Sequence, residues 1–296
     1  MQMNDHDAAG VPSGSPAHHR PADPAATLAA ETTGGPGGTA GPTDSPSMAA
    51  LISTELLRLR SGFVGWYILL SPIVIAIPLY LGSIFSPEGR SGRLWETFSN
   101  VTLEFWGVLI PMTAGLIAAL AVRADTEPWR FLFSYAIPRW RYFTAKVAAL
   151  AVAQLLSATI LVVMLAGGAL LTGQLSNAAS MILKVAYLPW AAGLAATALA
   201  VLVCTVWGLG PGIALGVAGM MAGALISDKS FWYAIPPAWP MRVILPLADI
   251  RPNGLALDAS SPLHDTSVIP LAVALSAAAT IVILLIGGRH MARKEV

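Results

Sequence analysis

Six long stretches without a charged side chain follow one another after residue 47 of this 296-residue chain. Each holds 18 or more residues, and at 1.5 Å per residue a helix of that length crosses a hydrocarbon core about 30 Å thick. The pattern therefore predicts an all-α, polytopic membrane protein with six transmembrane helices. The predicted spans are 63–85, 105–122, 147–171, 185–206, 207–227 and 268–288. Clustered glycines and Pro211 separate the nearly continuous fourth and fifth spans, because these residues end one helix and open a tight turn.

The composition supports a membrane protein and excludes several other classes. Hydrophobic residues make up 55% of the chain and charged residues only 11%, whereas soluble domains are close to 25% charged. The net charge is +1, so no general basic surface indicates a nucleic-acid partner. The single cysteine, Cys204, lies in an apolar run and excludes a disulfide framework or a cysteine-based zinc site.

The first 47 residues differ from the rest. Of these, 32 are Gly, Pro, Ala, Ser or Thr, and none is aromatic. Such a segment cannot bury enough apolar surface to offset its ordering entropy, so 1–47 is predicted to be a disordered Ala/Pro/Gly-rich tail, with one transmembrane domain in 48–296. Within 51–60, the spacing of Leu and Ile around Arg58 and Arg60 predicts a helix in the membrane interface, where arginine reaches phosphate head groups. The alternative is a frayed start of the first span.

The distribution of Lys and Arg predicts the orientation. An even number of spans places both termini on one side, and ten Lys or Arg residues flank the spans on that side against six on the other. By the positive-inside rule, both termini are expected in the cytoplasm. Residues 86–104 and 228–267 then form outer loops, 172–184 forms a short outer connection, and 123–146 is the only long inner loop.

The inner loop is unusually aromatic for a solvated connector. Asp125 or Thr126 can cap a short helix that carries Trp129 and Phe131, and Pro138 can end it. An amphipathic segment of this kind lies either on the membrane surface or in a groove of a partner protein. The sequence leaves both alternatives open.

A second aromatic segment, 231–242, precedes the last span. Three prolines interrupt it, so it cannot form a spanning helix. Its aromatic residues suit either an interfacial belt or a re-entrant cap over the outer end of a pathway. The candidate cap residues are Trp232, Tyr233 and Trp239.

Several kinds of chemistry are absent from the sequence. No G-x-x-x-x-G-K-[ST] motif occurs, so any ATPase that drives this chain is expected on a separate subunit. The six apolar stretches contain no Asp, Glu, Lys, Arg or His, which argues against a proton- or sodium-coupled carrier. No set of acid, base, nucleophile or metal ligands can be assembled, so the chain is not expected to be an enzyme or to bind a metal or cofactor.

The chain resembles the ABC-2 type transporter permeases, and most closely the lantibiotic-immunity permeases. The resemblance covers residues 50–292. It rests on six spans, the helix before span one, the inner loop after span two and the aromatic segment before span six. The closest stretches are 53–60 leading into 66–72, 127–141, and 235–242 followed by Asn253-Gly254.

The resemblance implies a multi-pass permease in a bacterial plasma membrane. It implies two copies of an ABC ATPase subunit, which bind ATP and Mg²⁺, and a second permease that is identical or homologous. The inner loop would be the coupling helix, and its ATPase-docking residues would be Glu127, Trp129, Arg130, Phe131 and Arg139. Spans two and five would line the pathway, with Trp106, Met112, Leu116, Met220 and Met221 in its wall.

The cargo expected from the resemblance is an amphipathic antimicrobial peptide, expelled in lantibiotic-type self-protection or resistance. The first alternative is export of another lipophilic cargo, such as a drug or a lipid. The second is a membrane receptor or binding protein that transports nothing.

Overall fold

Residues 46–125 and 138–293 are described by the structure, a computed structural model; within these ranges the chain is helical and has no β-strand. The tail 1–45, the loop residues 126–137 and residues 294–296 lie outside the described residues. The α-helices are α1 (Met48–Ser61), α2 (Phe63–Phe85), α3 (Leu94–Arg123), α4 (Arg139–Leu171), α5 (Leu175–Trp207), α6 (Leu209–Ile226), α7 (Trp239–Ala248) and α8 (Val268–Arg293).

Six of these helices, α2 to α6 and α8, are long and apolar enough to cross a membrane. This confirms the predicted six-helix membrane architecture. Three helices begin earlier than the apolar stretches: α3 at Leu94, α4 at Arg139 and α5 at Leu175. Each predicted span stops at the first charged residue, because it was defined as a stretch without charge, whereas the helical hydrogen bonds continue through that residue. Much of the two expected outer connections, 86–104 and 172–184, is therefore helical.

Helix α1 forms where the sequence predicts a helix before span one. The Ser47 hydroxyl oxygen accepts a hydrogen bond from the Ala50 amide at 3.2 Å, which caps the helix. The buried side of α1 carries Leu59 together with an acidic residue, Glu55. Burial of a carboxylate requires charged or hydrogen-bonding partners, and these lie on the helices beside α1.

The α5–α6 junction depends on Gly208, which has φ 92° and ψ −169°. This backbone region is essentially restricted to glycine. We expect Gly208→Ala to destabilise the chain by about 1–2 kcal/mol, measured as a lower midpoint of thermal unfolding in detergent. Gly210→Ala is the matched control, because Gly210 is helical and an added Cβ would meet nothing within 4 Å among the described residues. Equal effects of the two substitutions would contradict the backbone explanation.

Helices α3 and α6 are in close backbone contact. A Cβ added to Gly115 would lie 2.6 Å from the Cα of Gly216 and 2.8 Å from the carbonyl oxygen of Gly212. Small residues at this spacing allow two helices to approach closely. The two predicted pathway helices therefore pack directly on each other within one chain.

Helix α7 is short and deeply buried. Its residues from Trp239 to Pro246 are all buried, and it packs against α3, α5 and α8. At its start, Pro240 lies beside Gly193, which is near the middle of α5, and Met241 contacts the position of Gly107 on α3. The segment before the last span thus packs among the long apolar helices.

Candidate functional site

Four charged side chains meet where α1, α3 and α4 come together. Glu55 and Arg58 belong to α1, Asp125 lies two residues after the end of α3, and Lys146 is in the third turn of α4. Glu55, Asp125 and Lys146 are only 7%, 1% and 3% exposed. We call these four residues the ionic cluster.

The ionic cluster is an alternating ring of charges. Lys146 Nζ lies 2.8 Å from Glu55 Oε2 and 2.6 Å from Asp125 Oδ2. Arg58 Nη1 lies 3.0 Å from Glu55 Oε1, and its Nη2 lies 2.5 Å from Asp125 Oδ1. Each carboxylate thus contacts both cations, and the four charges sum to zero. Such mutual pairing is what permits charged groups to be buried.

Additional hydrogen bonds complete the ionic cluster. The Tyr142 hydroxyl donates to Asp125 Oδ2, and Lys146 Nζ donates to the Ala121 carbonyl oxygen at 3.4 Å. The ammonium group also lies 5.2 Å from the centroid of the Tyr142 ring, within the range of a cation–π interaction. Burial lowers the pKa of Arg58, but the charges of Asp125 and Glu55 raise it more, so the guanidinium pKa lies above its ordinary value.

The ionic cluster connects the two ends of the segment 126–137. Asp125 comes immediately before residues 126–137, and Tyr142 and Lys146 follow that segment on α4. The contacts of Asp125 with Tyr142 and Lys146 tie the two ends of the segment to each other. Arg58 and Glu55 tie both ends to α1. A displacement of the segment would therefore act on α1, α3 and α4 together.

Sequence reasoning missed the ionic cluster, and it assigned Arg58 a different environment. Arg58 was expected to reach phosphate head groups, but its guanidinium contacts Glu55 and Asp125. Arg60 is exposed. The signal in the sequence was Glu55 itself, which shares the apolar side of α1 with Leu59.

Most of the predicted docking residues fall outside the described part of the chain. These are Glu127, Trp129, Arg130 and Phe131. Arg139 is described: it is the first residue of α4 and is half-buried. Arg139 thus lies on the same helix as Tyr142 and Lys146, about one turn before Tyr142 and about two turns before Lys146.

The predicted pathway residues lie on α3 and α6 but do not share one environment. Trp106 is 7% exposed and lines a cavity with residues of α2, α4 and α5. Met112, Leu116 and Met220 are half-buried, whereas Met221 is 49% exposed. The structure brings α3 and α6 together, as their glycines suggest, and leaves the side of α6 that carries Met221 uncovered.

The predicted cap residues divide into two buried and one exposed. Trp232 and Trp239 are buried, and Trp239 Nε1 donates to the Tyr233 carbonyl oxygen at 3.2 Å. The Tyr233 side chain is exposed. The Arg242 guanidinium lies over the Trp232 ring, 5.6 Å from the ring centroid, within the range of a cation–π interaction. Arg242 is itself buried on α7, and the charges of Asp265 and Asp228 act on it from a distance.

Residues 46–125 and 138–293 contain no group of three or more His, Cys, Asp or Glu side chains that could hold a metal ion. No protein-family model, no curated protein and no solved structure matches this chain. The assignment of function therefore depends on the sequence motifs and on the geometry described above.

Proposed function

We propose that this chain is the permease subunit of a bacterial ABC exporter of the ABC-2 type. The observation that carries the proposal is the ionic cluster, which joins α1 to both ends of the segment 126–137. An exporter without its own nucleotide-binding motif must receive ATP-driven motion through a contact with a separate ATPase. A segment anchored to three helices at once is suited to that task.

In the proposed mechanism, two ATPase subunits bind ATP and Mg²⁺, and each docks on one permease chain. The aromatic side chains of 126–137 fill a groove on the ATPase, while Glu127, Arg130 and Arg139 set the orientation at its rim. The ionic cluster transmits the movement to α3 and α4. Because α3 packs closely on α6, α6 moves with it, which changes the surface that the two permease chains present to the cargo.

The proposal places the ionic cluster and both termini in the cytoplasm, in agreement with the bias of Lys and Arg toward that side. It places 228–267 outside. Residues 231–248 then form a re-entrant segment, since Pro240 and Met241 reach the middle of α5 and α3 from the outer side. Trp232 and Trp239, which are both buried, belong to this segment.

The proposed cargo is an amphipathic antimicrobial peptide. The predicted pathway wall is apolar and carries three methionines, whose flexible side chains adapt to varied shapes. Such a surface favours a peptide with a large apolar side over ions or sugars. Export of another lipophilic cargo would use the same surface and differs only in what the exporter protects against.

The docking segment provides the test of the proposed function. Trp129→Ala and Phe131→Ala should each weaken binding of the ATPase subunit about 25-fold, since truncating a buried aromatic anchor costs ~2 kcal/mol. The measurement is co-purification of an ATPase with the tagged, membrane-inserted chain, together with the resistance of cells to membrane-active peptides.

The matched controls are Trp66→Ala and Phe63→Ala, which make the same changes at exposed positions of α2. Both should retain the ATPase and the resistance. Full ATPase binding and full resistance in Trp129→Ala and Phe131→Ala would instead identify 126–137 as a membrane-surface helix and overturn the exporter proposal. A chain that never co-purifies with an ATPase would contradict the exporter proposal and favour the alternative of a non-transporting receptor.

A further inference from the structure

A small cavity lies inside the helix bundle, away from the ionic cluster. It is enclosed by α2, α3, α4 and α5, and the residues with polar groups in its lining are Tyr67, Ser71, Trp106, Thr113, Gln154, Ser157 and Trp190. None of the residues around it carries a charge. Trp106, Gln154 and Trp190 all lie well inside their helices, whereas Tyr67 and Ile68 lie in the second turn of α2.

The hydrogen bonds around the cavity are unbalanced. Trp190 Nε1 donates to the Ala151 carbonyl oxygen at 3.0 Å, and the Thr113 hydroxyl donates to that of Ile110 at 2.8 Å. Gln154 Oε1 accepts from the Thr197 hydroxyl at 2.7 Å. Two buried donors remain, Trp106 Nε1 and Gln154 Nε2, and neither has an acceptor in the described part of the chain.

Two buried N–H groups of residues that line this cavity have no acceptor among the described residues. An unsatisfied buried donor is costly, and most buried polar atoms in proteins have a partner. The indole of Trp106 is 93% removed from solvent, being 7% exposed, so bulk water does not satisfy it. The missing partner is a hydrogen-bond acceptor. It is uncharged, because no ionic group around the cavity would balance a charge.

The size and surface of the cavity limit which chemical group can occupy it. The volume open to the centres of water molecules is about 30 Å³, room for roughly two waters at 10–15 Å³ each. Ile68, Ile110 and Ile117 supply apolar walls around the polar groups. Tyr67 and Ser71 of α2 are only half-buried, so the cavity opens to the surface of the chain beside α2.

We infer that this cavity binds the neutral carbonyl group of a lipid-soluble amphiphile, with Trp106 Nε1 and Gln154 Nε2 as the donors. The carbonyl oxygen accepts both hydrogen bonds, and the adjoining carbon chain lies on the isoleucines and leaves past Tyr67. The inference goes beyond the proposed function, because the cavity is formed by one chain and requires neither an ATPase nor a second permease.

The test uses two photoreactive probes and the full-length chain in phospholipid nanodiscs. The first probe is methyl hexadecanoate with a diazirine in its chain, and the second is hexadecane with a diazirine at the same position. Cross-links to the peptides around Trp106 and Gln154 are quantified by mass spectrometry. We expect the ester to label these peptides at least fivefold more than the alkane does, because only the ester has an acceptor oxygen.

Substitutions then identify the donors. Trp106→Phe and Gln154→Leu should each lower the ester-to-alkane labelling ratio threefold to tenfold, the effect of losing one hydrogen bond. Trp190→Phe removes the same ring atoms from the same cavity, but the indole N–H that it removes already donates to Ala151. It should therefore lower the ratio less than Trp106→Phe does. Use of a ratio cancels changes in cavity size or protein yield.

Nanodiscs of diester and diether phosphatidylcholine distinguish two sources of the carbonyl. A diether lipid has no carbonyl and cannot compete with the ester probe for the two donors. Stronger ester labelling in the diether bilayer than in the diester bilayer therefore identifies a bilayer lipid as the occupant, whereas equal labelling in the two bilayers identifies a free amphiphile. Both results support the inference. Equal labelling by ester and alkane in the wild-type chain would show a cavity that holds water only and would overturn it. An ester preference unchanged in Trp106→Phe and Gln154→Leu would also overturn it.

Discussion

Replacing Lys146 by methionine is expected to destabilise this chain by about 3–5 kcal/mol, because it leaves two buried carboxylates with only one cation. Glu55 and Asp125 would then share Arg58, and a net negative charge would remain in an apolar environment. Methionine keeps most of the volume of lysine, so lost charge is the main change. The measurement is the midpoint of thermal unfolding of the purified chain in detergent, with an expected fall of roughly 6–12 °C.

Two variants separate charge pairing from a general effect of removing a lysine. Lys184→Met alters an exposed lysine on α5 and should change stability by less than about 0.5 kcal/mol. Combining Lys146→Met with Asp125→Asn leaves Glu55 and Arg58 as a neutral pair and should recover much of the lost stability. The charge-pairing explanation fails if the double variant is as unstable as the sum of its single variants.

Replacing Gly115 by leucine is expected to destabilise the chain by about 3 kcal/mol, the upper end of the usual cost of overpacking. The atoms nearest to a new Cβ belong to the backbone of α6, so no side chain can rotate out of the way. The helices α3 and α6 must separate, and their contact is lost. Thermal unfolding in detergent measures the loss, and the fraction of chain that elutes as a single species reports misassembly.

Gly167→Leu on α4 is the matched control for Gly115→Leu. A Cβ at Gly167 would meet nothing within 4 Å among the described residues, and leucine has a better helix propensity than glycine. We therefore expect this variant to be as stable as the wild-type chain or slightly more stable. If Gly115→Leu were tolerated equally well, the close approach of α3 and α6 would not be a requirement of the fold.

The sequence was sufficient to predict the membrane helices because that signal is local. A run of 18 apolar residues is visible without knowledge of its neighbours, and so is the break at Gly208. The ends of α3 and α5 were harder, since polar residues such as Glu104 and Lys184 interrupt the apolar run while the helix continues. Hydropathy locates the apolar part of a helix and stops short of its polar ends.

The ionic cluster and the cavity could not be predicted in the same way, because both depend on which helices become neighbours. Glu55 and Lys146 are 91 positions apart in the chain, and no periodic pattern relates them. The cavity required knowing that Gln154 uses its oxygen for Thr197, which leaves its amide nitrogen free. Which buried donors lack an acceptor can be determined only from the packed structure. An acid on an apolar helix side, as at Glu55, was the one local hint of a buried partner.

The ionic cluster also sets an order for the biogenesis of the chain. Glu55 and Arg58 are three residues apart on one helix, so they can pair as soon as α1 has formed. Asp125 brings a second negative charge. Synthesis proceeds from the N-terminus, so this charge has no cation of its own until Lys146 has left the ribosome. A nascent or truncated chain that ends before α4 therefore carries an unneutralised carboxylate beside apolar helices. The pairing of Lys146 therefore marks the point in synthesis at which the charges of the ionic cluster come into balance.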